Sequence, residues 1–334
     1  MITNSCPSFP SARLRRNRKA PWIRELLAET RLHPADLIMP FFVISGKNKK
    51  EIISSMEGVY RYSIDLLIKE IKKANALGIR AIMLFPVIDQ KLKTANGNEA
   101  FNEKNLICEA IRAIKKSVPE IGIICDVALD PYTTHGHDGI LSSKNDYVLN
   151  DETVEILCKQ ALAQAKAGCD YVAPSDMMDG RVGAIRKYLD KNGFQNTGII
   201  SYTAKYASNF YGPFRNAVNS EKNLGKSDKK NYQMDFRNAD EAIREAALDI
   251  NEGADIIIIK PGISYLDIVA KIKNNFQIPI ISYQVSGEYA MLKLAAKNNI
   301  LNFEDGLLES LIAFKRAGAC AIITYGAMEI AKIL

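Results

Sequence analysis

The sequence has no apolar run of the roughly 18–20 residues that a membrane-spanning helix needs, so no membrane span is expected. It holds one tryptophan and three histidines. Its six cysteines (Cys6, Cys108, Cys125, Cys158, Cys169, Cys320) are scattered and form no CxxC pair. That excludes a disulfide framework and fits a reducing, cytoplasmic compartment. A large excess of charge of one sign is absent as well. A net +6 over 334 residues gives no argument for nucleic acid or a membrane surface as partner. The opening MITNSCPSFPSARLRRNRK has basic residues with no apolar stretch behind them, so a secretory signal is not expected. No GxGxxG follows the first candidate strand, which weakens a doubly wound nucleotide-binding sheet.

What is present is an alternation. Eight short runs rich in Ile, Val and Leu recur at 36–44, 81–88, 121–129, 169–176, 196–203, 254–261, 278–286 and 319–326. Their near-continuous apolar character suits parallel strands covered on both faces. Amphipathic stretches at 63–78, 151–168, 238–255 and 303–319 have helical spacing, and a glycine stands near the end of each. Asp151 is the expected N-cap of the second of these. Eight βα units in a row predict a (β/α)8 TIM barrel, which usually takes about 250 residues. The surplus falls in an N-terminal arm (about 1–35) and a polar insert at about 207–237. The expected layout is therefore an arm, then one catalytic barrel over 36–334 whose insert serves as an active-site lid.

Barrel sites lie where the strands end, on the βα loops. The polar residues expected to ring that mouth are Asp130, Ser175, Lys205, Lys260, Tyr283, Ser286 and Tyr325. Lys260 closes the run IIIIKPG. Burying an ammonium is costly unless it is paired or neutralised, and both desolvation and a second cation lower its pKa. Lys205 ends the preceding strand, and adjacent strands lie about 4.8 Å apart. Two amines placed this way suit Schiff-base chemistry on a carbonyl substrate. A class I aldolase would need only one. The insert adds Arg215, Lys226, Lys229 and Lys230. Of these, Arg215 and Lys229 are suited to a substrate carboxylate. The cluster Phe210, Tyr211 and Phe214 predicts that the insert's first part packs down.

Four segments carry a family likeness. SYTAKYASNFYGPFR (201–215), IIKPGISYLDIV (258–269), DVALDPYTTHGHDG (126–139) and SYQVSGEYAM (282–291) resemble, in order, segments of the delta-aminolevulinic acid dehydratases. The resemblance implies condensation of two molecules of 5-aminolevulinate to porphobilinogen, with loss of two waters, in tetrapyrrole (heme) biosynthesis. It implies Schiff bases on Lys260, for the substrate that becomes the propionate side, and on Lys205, for the acetate side. Arg215, Lys229 and Gln233 match the lid residues around one carboxylate. Ser286 and Tyr325 match the ligands of the other. Tyr211, Phe214 and Tyr283 match pocket walls, and Ser175 and Asp130 match groups that contact the substrate amine. The basic arm implies a homo-oligomer, an octamer of arm-exchanging dimers. Glu245 matches an allosteric magnesium ligand, with Arg181 close by.

Zinc-dependent members of the family carry cysteines where this chain has Ala128, Asp130 and Asp138. Thiolates select zinc, whereas carboxylates favour Mg2+, a monovalent cation or no metal. No active-site zinc is therefore expected. Asp130 and Asp138 are left to act on the substrate amine or to hold a hard cation. His135 and His137 read as loop-packing residues. The segment points to the aspartate-rich, magnesium-responsive branch.

Overall fold

The structure, a computed structural model, describes residues 7–144, 147–218 and 228–334. Eight parallel strands close on themselves. In chain order they are Leu37–Ile44, Ala81–Pro86, Gly122–Val127, Tyr171–Pro174, Gly198–Lys205, Ile256–Lys260, Ile280–Tyr283 and Ala321–Ile323. Each pairs with the next, and the eighth pairs back with the first, Ile322 opposite Leu37. Helices on the outside separate successive strands. This is the (β/α)8 barrel that the alternation predicts. A hairpin of Lys50–Ile52 and Tyr60–Ser63 widens the sheet beside the first strand.

Side chains alternate across each strand, which creates two apolar layers. Ile38, Phe42, Met83, Phe85, Ile124, Ile200, Tyr202, Ile258, Ile281 and Ile323 fill the barrel. Val43, Leu84, Cys125, Val172, Ile199, Ile257 and Ile259 face the helices. By the same alternation Asp126 and Lys260, two residues beyond Ile124 and Ile258, turn into the barrel at its C-terminal end.

Lys205 obeys a different rule. Counting on by twos from Ile200 and Tyr202 would put Ala204 inside and Lys205 outside. The pairing between the fifth and sixth strands shifts by one residue: Ser201 lies opposite Ile257, but Ala204 lies opposite Ile259 and Lys205 opposite Lys260. Such a bulge re-aims the side chains beyond it. Ala204 and Tyr206 join the outer layer, and Lys205 turns inward beside Lys260.

The helices stop where glycines allow. Gly168 and Gly318 take left-handed caps, with φ of 104° and 120°, a conformation that a Cβ disfavours. One expected cap is corrected. The helix Asn150–Ala167 starts two residues earlier than a cap at Asp151 implies, with Leu149 at the cap position, so Asp151 lies in its first turn. Its carboxylate still meets the positive end of the helix there. The arm carries a 3-10 turn (Leu14–Arg18) and a short helix (Pro21–Leu26) with no buried residue in either.

A buried polar cluster sits behind the fifth strand. Arg181 is only 1% exposed, and its guanidinium lies 3.7 Å from Asp176, 3.5 Å from Asp249 and 3.8 Å from Glu245. Asp249 in turn accepts hydrogen bonds from Ser201 and Thr203, both at 2.7 Å. Those two hydroxyls flank Tyr202 on the strand that ends in Lys205. Arg181→Leu leaves three carboxylates without their cation, and breaking a buried pair in this way costs about 3–5 kcal/mol. Denaturant unfolding of the variant is expected to show a loss of that size.

Candidate active site

The ends of the strands bring lysines and carboxylates together. The Lys260 amine stands over four aromatic rings: Tyr283 at 4.7 Å, Tyr202 and Phe214 at 5.1 Å, and Tyr211 at 5.2 Å from the ring centroids. Aromatic faces favour a cation. Burial and then the Lys205 charge work against it, and they outweigh Asp126, Asp130 and Asp138. The Lys260 pKa falls to about 7. Near neutral pH a substantial share of this amine is therefore uncharged.

Lys205 is differently placed. Its ammonium donates to the Ser175 carbonyl and lies 3.3 Å from Asp138. Asp138 is 1% exposed. Burial pushes its carboxyl up, but Lys205 and Lys229 together pull it well below the usual carboxylate range. The Lys229 ammonium lies 2.7 Å from Asp138 and 3.3 Å from Asp130. The order Lys205, Asp138, Lys229, Asp130 is thus a continuous alternation of charge. It joins a barrel strand, the 126–139 loop and the insert. The sequence marked Lys229 only as a grip for a substrate carboxylate; here it bridges two of the protein's own.

The remaining expected residues gather nearby. The Ser286 hydroxyl accepts from Phe214 N–H (2.9 Å) and donates to the Phe210 carbonyl (3.3 Å), fastening the start of the insert. Tyr283 and Tyr325 share a hydrogen bond of 3.0 Å between their hydroxyls. The Tyr211 hydroxyl donates to the Lys260 carbonyl at 3.1 Å. Arg215, Lys229 and Gln233 line one wall of a cavity of about 650 Å3 beside the mouth. The central part of the insert, 219–227 with Lys226, lies outside the described residues, as do Cys6 and the first residues of the arm. Glu245 is not at the mouth but on the outer helix Asp240–Asn251.

His135 and His137 serve the loop. His135 Nε2 lies 3.0 Å from the Ala95 carbonyl, and His137 N–H donates to His135 Nδ1 at 3.2 Å. Burial lowers the pKa of both. Cys125 points into the outer layer, where burial, then Cys169, raises its thiol well above the ordinary range.

Four residues of the site escaped the sequence reading. Asp126 stands on the third strand beneath Ser175. Loss of water around it raises its carboxyl to about 7 against the pull of Lys205 and Lys260. Period-two counting from Ile124 would have found it. Tyr202, in the middle of an apolar run, gave no signal. Tyr232 donates to Asp138 at 2.8 Å and ties the insert to the 126–139 loop. Glu288, 2% exposed, accepts backbone N–H groups of Ile263 (2.7 Å), Val285 (2.8 Å) and Gly262 (3.4 Å). It fastens the turn after Lys260 to the turn before Ser286. Burial raises its carboxyl to about 7 although the three donors pull the other way.

Fold and site together define a barrel enzyme whose mouth sets amines against carboxylates. The family model for delta-aminolevulinic acid dehydratase matches residues 11–333. The protein of that name from Bradyrhizobium diazoefficiens is 54% identical over 322 residues, 96% of this chain and 90% of its own length. The one from Chlamydia pneumoniae is 52% identical over 324 residues, 97% of this chain and 96% of its own length. The crystal structure of the Toxoplasma gondii enzyme, solved with its product porphobilinogen, superposes with a TM-score of 0.95 at 48% identity, covering 97% of this chain and 91% of that one. The chain belongs to the delta-aminolevulinic acid dehydratase family, and its activity is the family's: a hydro-lyase reaction that condenses two molecules of 5-aminolevulinate to porphobilinogen.

Glu288→Gln keeps the shape of the side chain but turns an amide N–H2 towards backbone donors. An unsatisfied buried group of that kind costs about 1–3 kcal/mol. The variant is expected to lose that much in denaturant unfolding. Borohydride trapping of 5-aminolevulinate, resolved by peptide mass, is expected to weaken at Lys260 more than at Lys205.

Proposed function

We propose that the condensation runs through Schiff bases on both Lys260 and Lys205. The observation that carries this reading is the pair itself. The two lysines stand opposite each other on adjacent strand ends, and one has its pKa lowered to about 7. An uncharged amine attacks a ketone; an ammonium does not. Lys260, caged by rings, is the amine ready at neutral pH. Lys205 lies 3.3 Å from Asp138, and its charge acts on the nearby Asp126. Asp126, held near 7, can both give and take a proton at working pH, which suits the removal of water from a carbinolamine. Ser175 and Asp130 complete the polar wall facing the substrate amine.

The insert at about 207–237 acts as the lid, and barrel 36–334 with arm 1–35 is the working layout. Arg215 and Lys229, with Gln233, grip the carboxylate of the substrate on Lys205. Ser286 and Tyr325 take that of the substrate on Lys260, between walls of Tyr211, Phe214 and Tyr283. Phe9, Leu14, Trp22 and Leu26 of the arm are 63–76% exposed, which supports an arm that covers a neighbouring subunit, as an octamer of arm-exchanging dimers requires. The free cysteines support a cytoplasmic location. Among the described residues no helix is long and apolar enough to cross a membrane.

No active-site zinc enters this scheme, because Ala128, Asp130 and Asp138 offer no thiolate. If a cation adds to the mouth, it is a hard one, divalent or monovalent. Magnesium fits better at Glu245, as an allosteric ion. Burial raises that carboxyl to about 7; Arg181 opposes the rise, while Asp249, Asp179 and Glu252 add to it. A cavity of about 270 Å3 between Asp179, Asp235, Glu241 and Glu245 adjoins it. Mg2+ keeps most of its waters and binds through one or two carboxylates, so a single ligand in an acidic, roomy recess suits it. When bound there it would supply charge behind the fifth strand and no chemistry at the mouth.

Two measurements test this reading. The pH dependence of borohydride trapping at Lys260 is expected to have its midpoint near 7. In Lys205→Met the midpoint should move to higher pH, because the removed cation favoured the neutral amine. A midpoint unmoved by that variant would sink the paired-amine reading. After chelation, Mg2+ is expected to restore activity and Zn2+ to add nothing, and Glu245→Gln should abolish the response to Mg2+ while leaving residual activity.

A further inference from the structure

Lys93 lies in the loop after the second barrel strand, on the mouth side. It is 6% exposed, and its amine is buried with no hydrogen-bond partner and no ion pair among the described residues. An ionised amine left so is costly, and sequences keep such costs chiefly where function demands them. The loop holds it there firmly. Thr94 bridges to Thr133; Thr94 N–H donates to the Tyr132 carbonyl (3.2 Å), and the Thr94 carbonyl accepts from Thr134 N–H (3.1 Å). Lys93 is thereby stapled alongside the 126–139 loop, and Asp130 is the carboxylate whose charge it feels.

Charge accounting at the mouth gives this amine a task. Asp138 has two cations, Lys205 and Lys229; Asp130 has one ion pair, with Lys229. On the reading above, Lys229 also grips a substrate carboxylate. When it does, Asp138 keeps Lys205, but Asp130 is left buried with no ion-paired partner. We propose that Lys93 is a positioning residue that takes over Asp130 when Lys229 turns to the substrate. Four rotatable bonds give its ammonium freedom to turn towards the 126–139 loop, against which Thr94 is paired. Lys93 would then stay unpaired in the resting enzyme and pair during turnover.

The proposal rests on the reading of Lys229 as a substrate grip, so the two lysines are tested together. Lys93→Met, Lys93→Gln and Lys229→Met are compared with the native enzyme for kcat, KM for 5-aminolevulinate and melting temperature. Lys93→Met is expected to lower kcat about tenfold or more with KM within about twofold. Its melting temperature should rise by about 2 °C, since an unpaired buried amine is gone. Lys93→Gln should show the same loss of kcat and serves if the Met variant does not fold. Unchanged kcat in both Lys93 variants, a raised KM with unchanged kcat, or a lowered melting temperature in Lys93→Met would each overturn the proposal. Lys229→Met should raise KM. If it does not, the grip reading fails whatever Lys93 shows; if it does while Lys93→Met keeps full kcat, the takeover of Asp130 alone is wrong.

Discussion

The site depends on one irregularity in strand pairing. A single-residue shift between Ser201 and Ala204 turns Lys205 into the barrel and sets it opposite Lys260. Without it, regular alternation would leave Lys205 among the helices, as a cation in the apolar outer layer. The shift costs a ladder contact and creates a repulsive pair of amines. The structure relieves the repulsion unequally: Lys260 is desolvated and falls to about 7, while Lys205 is given Asp138. Lys260 is thereby the amine more easily freed of its proton, and the charge of Lys205 is one cause of that.

The bulge has to be held, and it is held from behind. Asp249 takes the hydroxyls of Ser201 and Thr203, the last two outward side chains before the shift. Arg181 anchors Asp249 and, at the edge of the same cluster, touches Glu245. Glu245 is thus two contacts from the strand that carries Lys205, through Arg181 and the Ser201 hydroxyl. A continuous set of contacts through Arg181, Asp249 and two hydroxyls joins Glu245 to the strand that carries Lys205.

Much of this was legible in the sequence. Eight apolar runs with helical patterns between them define the barrel, because a strand covered on both faces has few other ways to read. Lys205, Lys260 and Ser286 stand where strands end or loops begin, and position along a barrel strand carries functional meaning. Tyr202 did not stand out, since an aromatic in an apolar run reads as core and only closure of the barrel turns it towards an amine. The bulge left no mark either: its cause is spread over Asp249 and two hydroxyls 46 and 48 residues away. Glu288 follows a serine and a glycine in what reads as a helix start, and its three partners come from two loops. The cap was misplaced by two residues for a local reason, since Asp151 suits a cap by type whereas the observed cap, Leu149, has no capping side chain.

The aspartates at 130 and 138 change the logic of the mouth. Two carboxylates facing one space must share a positive charge, and the Lys229 ammonium touches both, at 3.3 and 2.7 Å, where a bridging cation would sit. A bound ion would neutralise them whatever the insert did. A lysine carried on the insert neutralises them only while the insert is down. Tyr232, three residues further on, adds a hydrogen bond from the same segment to Asp138. On the proposed reading, seating of the insert and neutralisation of the two carboxylates are one event. Opening would expose two mutually repelling aspartates to water, and closing returns them to low dielectric only with their cation in place. In the proposed scheme, where the insert is the lid and Lys229 the grip, that coupling favours the closed insert without substrate, and the substrate carboxylate competes for a lysine already in use.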